Sequence, residues 1–248
     1  MNHSQVKTAI VVGASGGIAQ ALITKLLQAD ADRHVIAISR SPEDKQAATA
    51  SNPGLHWLQS DNSEESMAGI ARDLGSASFS IDRLFICNGV LHQHAIAPEK
   101  RLKSVDRDAL HAVFEVNAFV PILWLKHLLP LMPSNGHNAV TVFSARVGSI
   151  EDNRAGGWYA YRASKAAMNM LLKTAAIEHR RFARNTRFLA FHPGTTDTAL
   201  SAPFQQGVSP DKLFSPDFVA ERLLQIVEAL PAEPTLNFLD WEGKAVAW

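Results

Sequence analysis

Apolar residues along this chain follow two alternating patterns. Short runs that are almost wholly apolar alternate with longer stretches in which apolar residues recur every three or four positions. Short continuous runs are typical of strands buried on both faces of a sheet, and the longer spacing is typical of helices. The short runs predict seven strands: Thr8–Val12, Val35–Ser39, His56–Ser60, Arg83–Cys87, Ala139–Ser144, Arg187–Phe191 and Thr235–Leu239.

The longer stretches predict helices between these strands. Ser215 followed by Pro216 has the pattern of an N-cap and a first-turn proline. Strand–helix alternation implies a doubly wound α/β (Rossmann) fold with a mainly parallel sheet. Because we find no repeat, low-complexity block or linker, we expect residues 1–248 to form one domain. The predicted helices are Gly16–Ala29, Glu64–Leu74, Asp106–Leu131, Trp158–Phe182 and Pro216–Leu230.

Composition narrows the class of protein. The chain has 24 basic and 24 acidic residues, a zero balance that argues against a nucleic-acid partner. Cys87 is the lone cysteine, so no internal disulfide forms and we expect a reducing, cytoplasmic setting. The most apolar stretch, Val113–Met132, contains charged residues and prolines, so we do not expect a membrane span. His92 and His94 lack a third ligand, so we expect no metal.

A glycine-rich turn follows the first predicted strand and precedes a helix. Glycines there let the backbone turn sharply and approach a pyrophosphate, and the helix N-terminus offers free N–H groups to it. This context favours nucleotide binding over a purely structural turn, which remains the alternative. The candidate cofactor-binding residues of this turn are Gly13, Ser15, Gly16, Gly17 and Ile18.

The next two strand ends indicate which nucleotide is bound. The second strand ends at Ser39 and Arg40, with no acidic residue to hold a ribose 2′-hydroxyl. A hydroxyl and a guanidinium suit a 2′-phosphate, so we expect NADP(H) rather than NAD(H), unless Arg40 is only a solvated loop residue. Asp61 and Asn62, after the third strand, are placed to meet an adenine edge or to form an ordinary turn.

Tyr161 and Lys165 are the candidate acid–base pair. Their four-residue spacing puts both on one face of a predicted helix. A free tyrosine has a pKa near ~10, and a neighbouring ammonium favours the phenolate and lowers that pKa. A phenol tuned in this way can donate a proton to a carbonyl oxygen or accept one from an alcohol.

Together with the glycine turn, this pair makes the chain resemble the short-chain dehydrogenase/reductase family along essentially its whole length. Gly13, Gly17 and Ala19 match the family's cofactor turn. Asn117 matches the helix asparagine that holds a water in the family's proton relay. The resemblance also implies that residues after the fourth and sixth strands contact the cofactor, namely Asn88, Gly89, Pro193, Gly194, Thr196 and Thr198.

The family's catalytic serine is the point of departure. The usual Ser-Ser-x-x-Gly has its catalytic serine second, and Ala145 occupies that position here. Ser144 at the strand end or Ser149 beyond the glycine could supply the hydroxyl. We favour Ser144, because a strand end is better positioned than a loop. If neither hydroxyl reaches the carbonyl, catalysis depends on Tyr161 alone and is slower.

The segment Ser144–Lys165 most resembles C-factor/Sniffer-type carbonyl reductases. The expected function is therefore NADPH-dependent reduction of an aldehyde or ketone, with Tyr161 as general acid/base. The alternative is a non-catalytic NADP(H)-binding regulatory or signalling protein. The family resemblance also implies a homodimer or homotetramer. Residues 199–216 contain Phe204, Gly207, Pro203 and Pro210 and are a candidate substrate lid.

Overall fold

The predicted parallel sheet is present. The structure, a computed structural model, describes residues 6–41, 52–77, 79–93, 96–231 and 236–248. Within these ranges the main sheet has seven strands: β1 (Val6–Val12), β2 (His34–Ser39), β3 (Leu55–Gln59), β4 (Phe79–Ile86), β5 (Ala139–Phe143), β6 (Arg187–His192) and β9 (Leu236–Asp240). They are all parallel and lie in the order β3-β2-β1-β4-β5-β6-β9.

The strand predictions are confirmed to within a few residues. Thr235, the first residue of the last predicted strand, lies outside the described residues. A separate two-residue parallel pair joins β7 (Thr195–Thr196) to β8 (Leu213–Phe214). This pair connects the loop after β6 with the segment that we expected to form a lid.

Helices cover both faces of the sheet. They are α1 (Gly17–Ala29), α2 (Glu64–Ser76), α3 (Arg107–Phe114), α4 (Val120–Leu128), α5 (Tyr159–His179) and α6 (Pro216–Ala229). One hydrophobic core lies between the sheet and the side chains of α2, α4 and α5, among them Met67, Trp124 and Leu172. The other core lies between the sheet and α1 and α6. The doubly wound fold is thereby confirmed.

The helix predicted over Asp106–Leu131 is not one regular helix. Asp106 caps α3 by accepting a hydrogen bond from the Ala109 N–H, and a π-turn at Glu115–Phe119 then separates α3 from α4. By length and composition, the run 107–131 could cross a membrane, but half of its most apolar window is buried inside the fold. Packing in the core explains the buried half of that window.

The strand order reverses between β1 and β4, and this places the candidate site. The chain builds β1, β2 and β3 towards one edge and then returns to add β4 on the other side of β1. Gly13 and Ala14 donate to the Ile38 carbonyl at the end of β2, both at 3.0 Å. Cys87 N donates to the Val12 carbonyl at 2.9 Å. The glycine turn therefore lies at the crevice where such folds bind ligands.

Candidate active site

A cleft of about 590 Å³ opens at the carboxyl ends of the central strands. Its walls are the glycine turn, the loop after β4, the segment after β5, the first turns of α5 and the loop after β6. Most predicted site residues line it: Ser15, Gly16, Gly17, Ile18, Asn88, Gly89, Ser144, Tyr161, Lys165, Pro193, Gly194, Thr196 and Thr198. The predicted residues outside its lining are Gly13, Ser39, Arg40, Asp61, Asn62, Asn117 and Ser149.

The glycine turn fits closely against its neighbours. Gly13 has a φ of +77°, and a Cβ there would lie 3.1 Å from Asn88 N. A Cβ on Gly17 would lie 3.2 Å from Cγ2 of Thr198. Helix α1 begins at Gly17 without a side-chain cap or an acidic residue in its first turn. Its first N–H groups are thus available to an anion such as a pyrophosphate.

The end of β2 holds a buried hydroxyl next to an exposed cation. Ser39 is buried, and its Oγ has no hydrogen-bond partner within the described residues. Arg40 is exposed. Unsatisfied buried hydroxyls are rare in folded proteins, so Ser39 Oγ is a candidate ligand-binding atom.

Asp61 and Asn62 form the turn before α2. Asp61 Oδ1 accepts from Ser63 N at 2.8 Å, and this hydrogen bond lowers the pKa of the Asp61 carboxyl. Asn62 has a φ of +66°, and its Oδ1 accepts from the Trp124 indole N–H at 3.0 Å. The Asn62 amide oxygen is therefore used in binding the turn to α4.

Tyr161 and Lys165 lie together in the cleft. Lys165 Nζ is 5.8 Å from the centroid of the Tyr161 ring and donates to the Phe143 carbonyl at 2.7 Å. We expected the ammonium to lower the pKa of the phenol. Instead, burial raises the pKa of Tyr161 to about 12 and lowers the pKa of Lys165 to about 8. The cost of burying charge therefore exceeds the attraction between the two groups.

Asn117 lies in the π-turn and connects three elements. Its Oδ1 accepts from Val90 N at 2.8 Å, and its Nδ2 donates to Val90 O at 2.9 Å and to Ser164 Oγ at 3.0 Å. Ser164 Oγ in turn donates to the Tyr161 carbonyl at 2.9 Å. The Asn117 carboxamide thus holds the loop after β4 against the first turns of α5.

The two candidate serines differ in their positions. Ser144 lines the cleft, but its hydroxyl donates to Asn169 Oδ1 at 2.6 Å. Ser149 Oγ donates to the Trp248 carbonyl at 3.3 Å and accepts from Asp152 N at 3.0 Å, outside the cleft lining.

Ala145 occupies the position next to the phenol. It belongs to a small apolar cluster with Tyr161 and Leu91. Side chains alternate in direction along extended backbone, so Ser144 and Ala145 point to different sides of the strand end. The methyl group of Ala145 therefore lies where the family pattern has a hydroxyl.

Sequence reasoning missed Glu99. This carboxylate is 6% exposed, and its Oε2 accepts from Ala160 N at 3.2 Å, in the first turn of α5. The backbone carbonyl of Glu99 accepts a hydrogen bond from Trp158 N. Trp158 is the N-cap residue of α5; it has a left-handed φ of +52°, and its side chain makes no capping hydrogen bond. Glu99 therefore caps the helix that bears Tyr161. No local pattern reveals a contact across about 60 positions of sequence.

A polar cluster at the ends of β6 and β9 was also not predicted. His192 lines the cleft, its Nδ1 is buried without a partner among the described residues, and burial lowers its pKa to about 4. Arg146 pairs with Asp240 at 3.0 Å and with Asp152 at 3.4 Å. Among the described residues, no three His, Cys, Asp or Glu side chains are grouped to hold a metal ion.

The first part of the predicted lid closes one side of the cleft. Leu200 and Phe204 line it. His92 Nε2 lies 3.2 Å from the carbonyl oxygens of Ala199 and Leu200, and because carbonyls only accept, the imidazole donates. His94 lies outside the described residues. The loop after β4 thus contacts the 199–204 segment directly.

Comparison with known proteins finds a family model and curated relatives that match this chain. A family model described as short chain dehydrogenase matches residues 7–209. The chain is 27% identical to 1-hydroxy-2-glutathionyl-2-methyl-3-butene dehydrogenase of Rhodococcus sp. (strain AD45), over 98% of this chain and 100% of that one. It is 30% identical to C-signal of Myxococcus xanthus, over 59% of this chain and 83% of that one.

Solved structures share the fold. A putative short-chain dehydrogenase/reductase from Burkholderia multivorans with bound NADP superposes with a TM-score of 0.82 at 25% identity, covering 98% of this chain and 99% of that one. The carbonyl reductase Sniffer of D. melanogaster superposes with a TM-score of 0.83 at 21% identity, covering 98% and 100%. At that identity the second likeness shows the fold alone.

Proposed function

The chain belongs to the short-chain dehydrogenase family of oxidoreductases, and we propose that it is an NADPH-dependent reductase that converts an aldehyde or ketone into an alcohol. The carrying observation is the buried pair of Tyr161 and Lys165 in a cleft that continues to the glycine turn. The similarity to a Rhodococcus dehydrogenase over the whole chain, and to a Burkholderia structure with bound NADP, supports this proposal.

The chain's own residues fit a nicotinamide dinucleotide. The uncapped N-terminus of α1 would bind the pyrophosphate. Ser39 Oγ and the Arg40 guanidinium would bind a 2′-phosphate, which favours NADP(H) over NAD(H). Asp61 would meet the adenine end. Bound there, the cofactor supplies the hydride.

The nicotinamide end would lie against the loops after β4 and β6. Asn88 Oδ1 is buried without a partner in the described part of the chain, so it can accept a hydrogen bond from the cofactor. Gly89, Pro193, Thr196 and Thr198 line the same end of the cleft.

Tyr161 would act as the proton donor. A pKa of about 12 keeps the phenol protonated at neutral pH, which is the state that reduction requires of an acid. The charge that develops on its oxygen lies in a buried site, where a nearby cation is worth more than in water. Lys165, whose pKa is about 8, is mostly protonated at neutral pH and supplies that cation. Asn117 would hold the first turns of α5 in register with these groups.

We propose that the Ser144 hydroxyl donates a hydrogen bond to the carbonyl oxygen of the substrate, which requires it to give up its present partner. Its proton is engaged by Asn169, so the bond must be exchanged for one to the substrate. Because the side chain next to the phenol is Ala145, which has no hydroxyl, Tyr161 would provide most of the stabilisation of the carbonyl oxygen.

We extend the proposal to the whole protein. Residues 1–248 would form one domain in which residues 199–216 act as a lid. The protein would work as a homodimer or homotetramer in a reducing, cytoplasmic setting. The interface would use the helical regions 106–131 and 158–182, where Met170 and Ile177 are exposed apolar side chains on α5.

The alternative is a non-catalytic NADP(H)-binding regulatory protein. The observation that favours it is Ala145 at the position of the family's serine. The buried Tyr161 and Lys165 favour the enzyme, because cofactor sensing alone does not require a proton donor.

The test is NADPH oxidation, followed by absorbance, against aldehydes and ketones, with NADH in parallel. We expect turnover with NADPH, and a loss of at least about 100-fold in Tyr161→Phe without loss of NADPH binding. Tyr159→Phe is the matched control, since Tyr159 lies two positions away outside the cleft lining. Full activity in Tyr161→Phe would refute the mechanism. NADPH binding without turnover on any substrate would favour the regulator.

A further inference from the structure

A chain of aromatic rings lies in front of the phenol. The Trp158 ring meets the Tyr161 ring edge to face, with 6.2 Å between centroids. Phe204 meets Trp158 in the same way at 5.1 Å, and its other neighbour is the His92 ring at 5.6 Å. The ring faces and edges of Trp158 and Phe204 thus form one wall of the cleft.

Aliphatic side chains complete this half of the cleft. Leu91 and Ala145 pack against Tyr161, and Val147 and Leu200 pack around them. We call the six residues around the phenol the aromatic slot: Leu91, Ala145, Val147, Trp158, Leu200 and Phe204.

The backbone holds the wall in place. Trp158 has a left-handed φ of +52°, which is unusual for a bulky residue, and its N–H is held by the Glu99 carbonyl. Phe204 lies on the segment whose carbonyls accept from His92. Conformations this unfavourable persist where the surroundings determine them, and they concentrate at ligand sites.

The charges near the slot do not favour an anionic substrate. Arg146 lines the cleft but pairs with two carboxylates, Asp240 and Asp152, so this group is not a net cation. Lys165 Nζ lies 5.8 Å from the centroid of the Tyr161 ring and donates to the Phe143 carbonyl, so this cation is already assigned to the phenol. A substrate carboxylate entering the slot would lose water without gaining a further unpaired cation.

We propose that the aromatic slot selects uncharged substrates whose carbonyl is attached to an aromatic ring, an inference that rests on the proposed reductase function. Edge-to-face and offset ring contacts are favoured beyond the area that they bury. Two such contacts, with Trp158 and Phe204, correspond to about a tenfold preference over a saturated ring of the same size.

The experiment compares kcat/KM with NADPH for three aldehydes: benzaldehyde, cyclohexanecarbaldehyde and para-carboxybenzaldehyde. We expect benzaldehyde to exceed both others by about tenfold. In Phe204→Leu the preference over the saturated ring should fall severalfold, and Phe204→Tyr, which keeps the ring, should restore it. Phe182→Leu is the control, because Phe182 is an exposed phenylalanine outside the cleft lining.

The outcomes distinguish failure of the aromatic-slot proposal from failure of the proposed reductase function. Equal kcat/KM values for benzaldehyde and cyclohexanecarbaldehyde would overturn the proposal that the slot selects aromatic substrates, and the proposed reductase function would still stand. If no aldehyde is reduced, the proposed function fails, and binding of benzyl alcohol and cyclohexylmethanol is compared by saturation-transfer NMR without cofactor. Stronger binding of the aromatic alcohol, lost in Phe204→Leu, supports the slot, and equal binding overturns it.

Discussion

The buried ammonium of Lys165 should change how stability depends on pH. Burial lowers the pKa of Lys165 to about 8 in the folded protein, from 10.5 in the unfolded chain. Between these values the unfolded chain binds more protons, so the free energy of unfolding rises as pH rises. The two pKa values differ by about 2.5, so the full effect is roughly 3 kcal/mol, of which about 1 kcal/mol falls between pH ~8 and ~9.

Two other buried groups limit the useful pH range. Burial raises the pKa of the Cys87 thiol, and it raises that of Tyr161 to about 12. Above their unfolded pKa values of about 9 and about 10, the unfolded chain loses protons that the folded protein keeps. Both groups therefore lower stability as pH rises further. The clean window for Lys165 lies below about pH 9.

The assay is urea unfolding of the cofactor-free protein at several pH values from about 7 to about 9, for the wild type and Lys165→Met. Subtracting the two curves removes most of the contributions of Cys87 and Tyr161. We expect the wild type to gain about 1 kcal/mol relative to Lys165→Met from pH ~8 to ~9. Parallel curves would refute the reasoning, because they would mean that the ammonium is as well hydrated in the cleft as in the unfolded chain.

Substitutions at three further positions test individual contacts. Glu99→Ala removes the acceptor for Ala160 N and should lower the free energy of unfolding by about 1 kcal/mol in urea, whereas Glu99→Gln keeps an acceptor and should lose less. Ala145→Ser places a hydroxyl beside Tyr161 and should raise kcat by about tenfold, and no change would show that the position does not reach the carbonyl. Arg40→Gln should raise KM for NADPH by about tenfold and leave KM for NADH unchanged, as steady-state kinetics would show.

Much of the fold could be predicted because its signals are local. A strand buried on both faces needs a continuous apolar run, and a run such as Ala139–Phe143 allows few other structures. The local apolar pattern did not reveal the break in the helix predicted over 106–131. The π-turn at Glu115–Phe119 lies where Asn117 contacts Val90 and Ser164, which are distant in sequence.

The same distinction holds for the candidate site. Tyr161 and Lys165 share one helix face, so their spacing places them together. Which side chain faces the phenol depends on the direction of the backbone at the strand end. From the sequence, either Ser144 or Ser149 could supply the hydroxyl. The structure shows both hydroxyls engaged elsewhere and Ala145 next to the phenol.

The contacts around α5 suggest a division between a fixed and an adjustable part of the site. Asn117 reaches the first turns of α5 through Ser164, and Glu99 caps the helix at Ala160. These bonds come from two different elements, so the first turns of α5, which carry Tyr161, cannot shift without breaking several of them. The 199–204 segment instead contacts the loop after β4 through the imidazole of His92 and ring packing on Phe204. Under the proposed function, substrate exchange would therefore proceed by movement of this segment, while Tyr161 keeps its position.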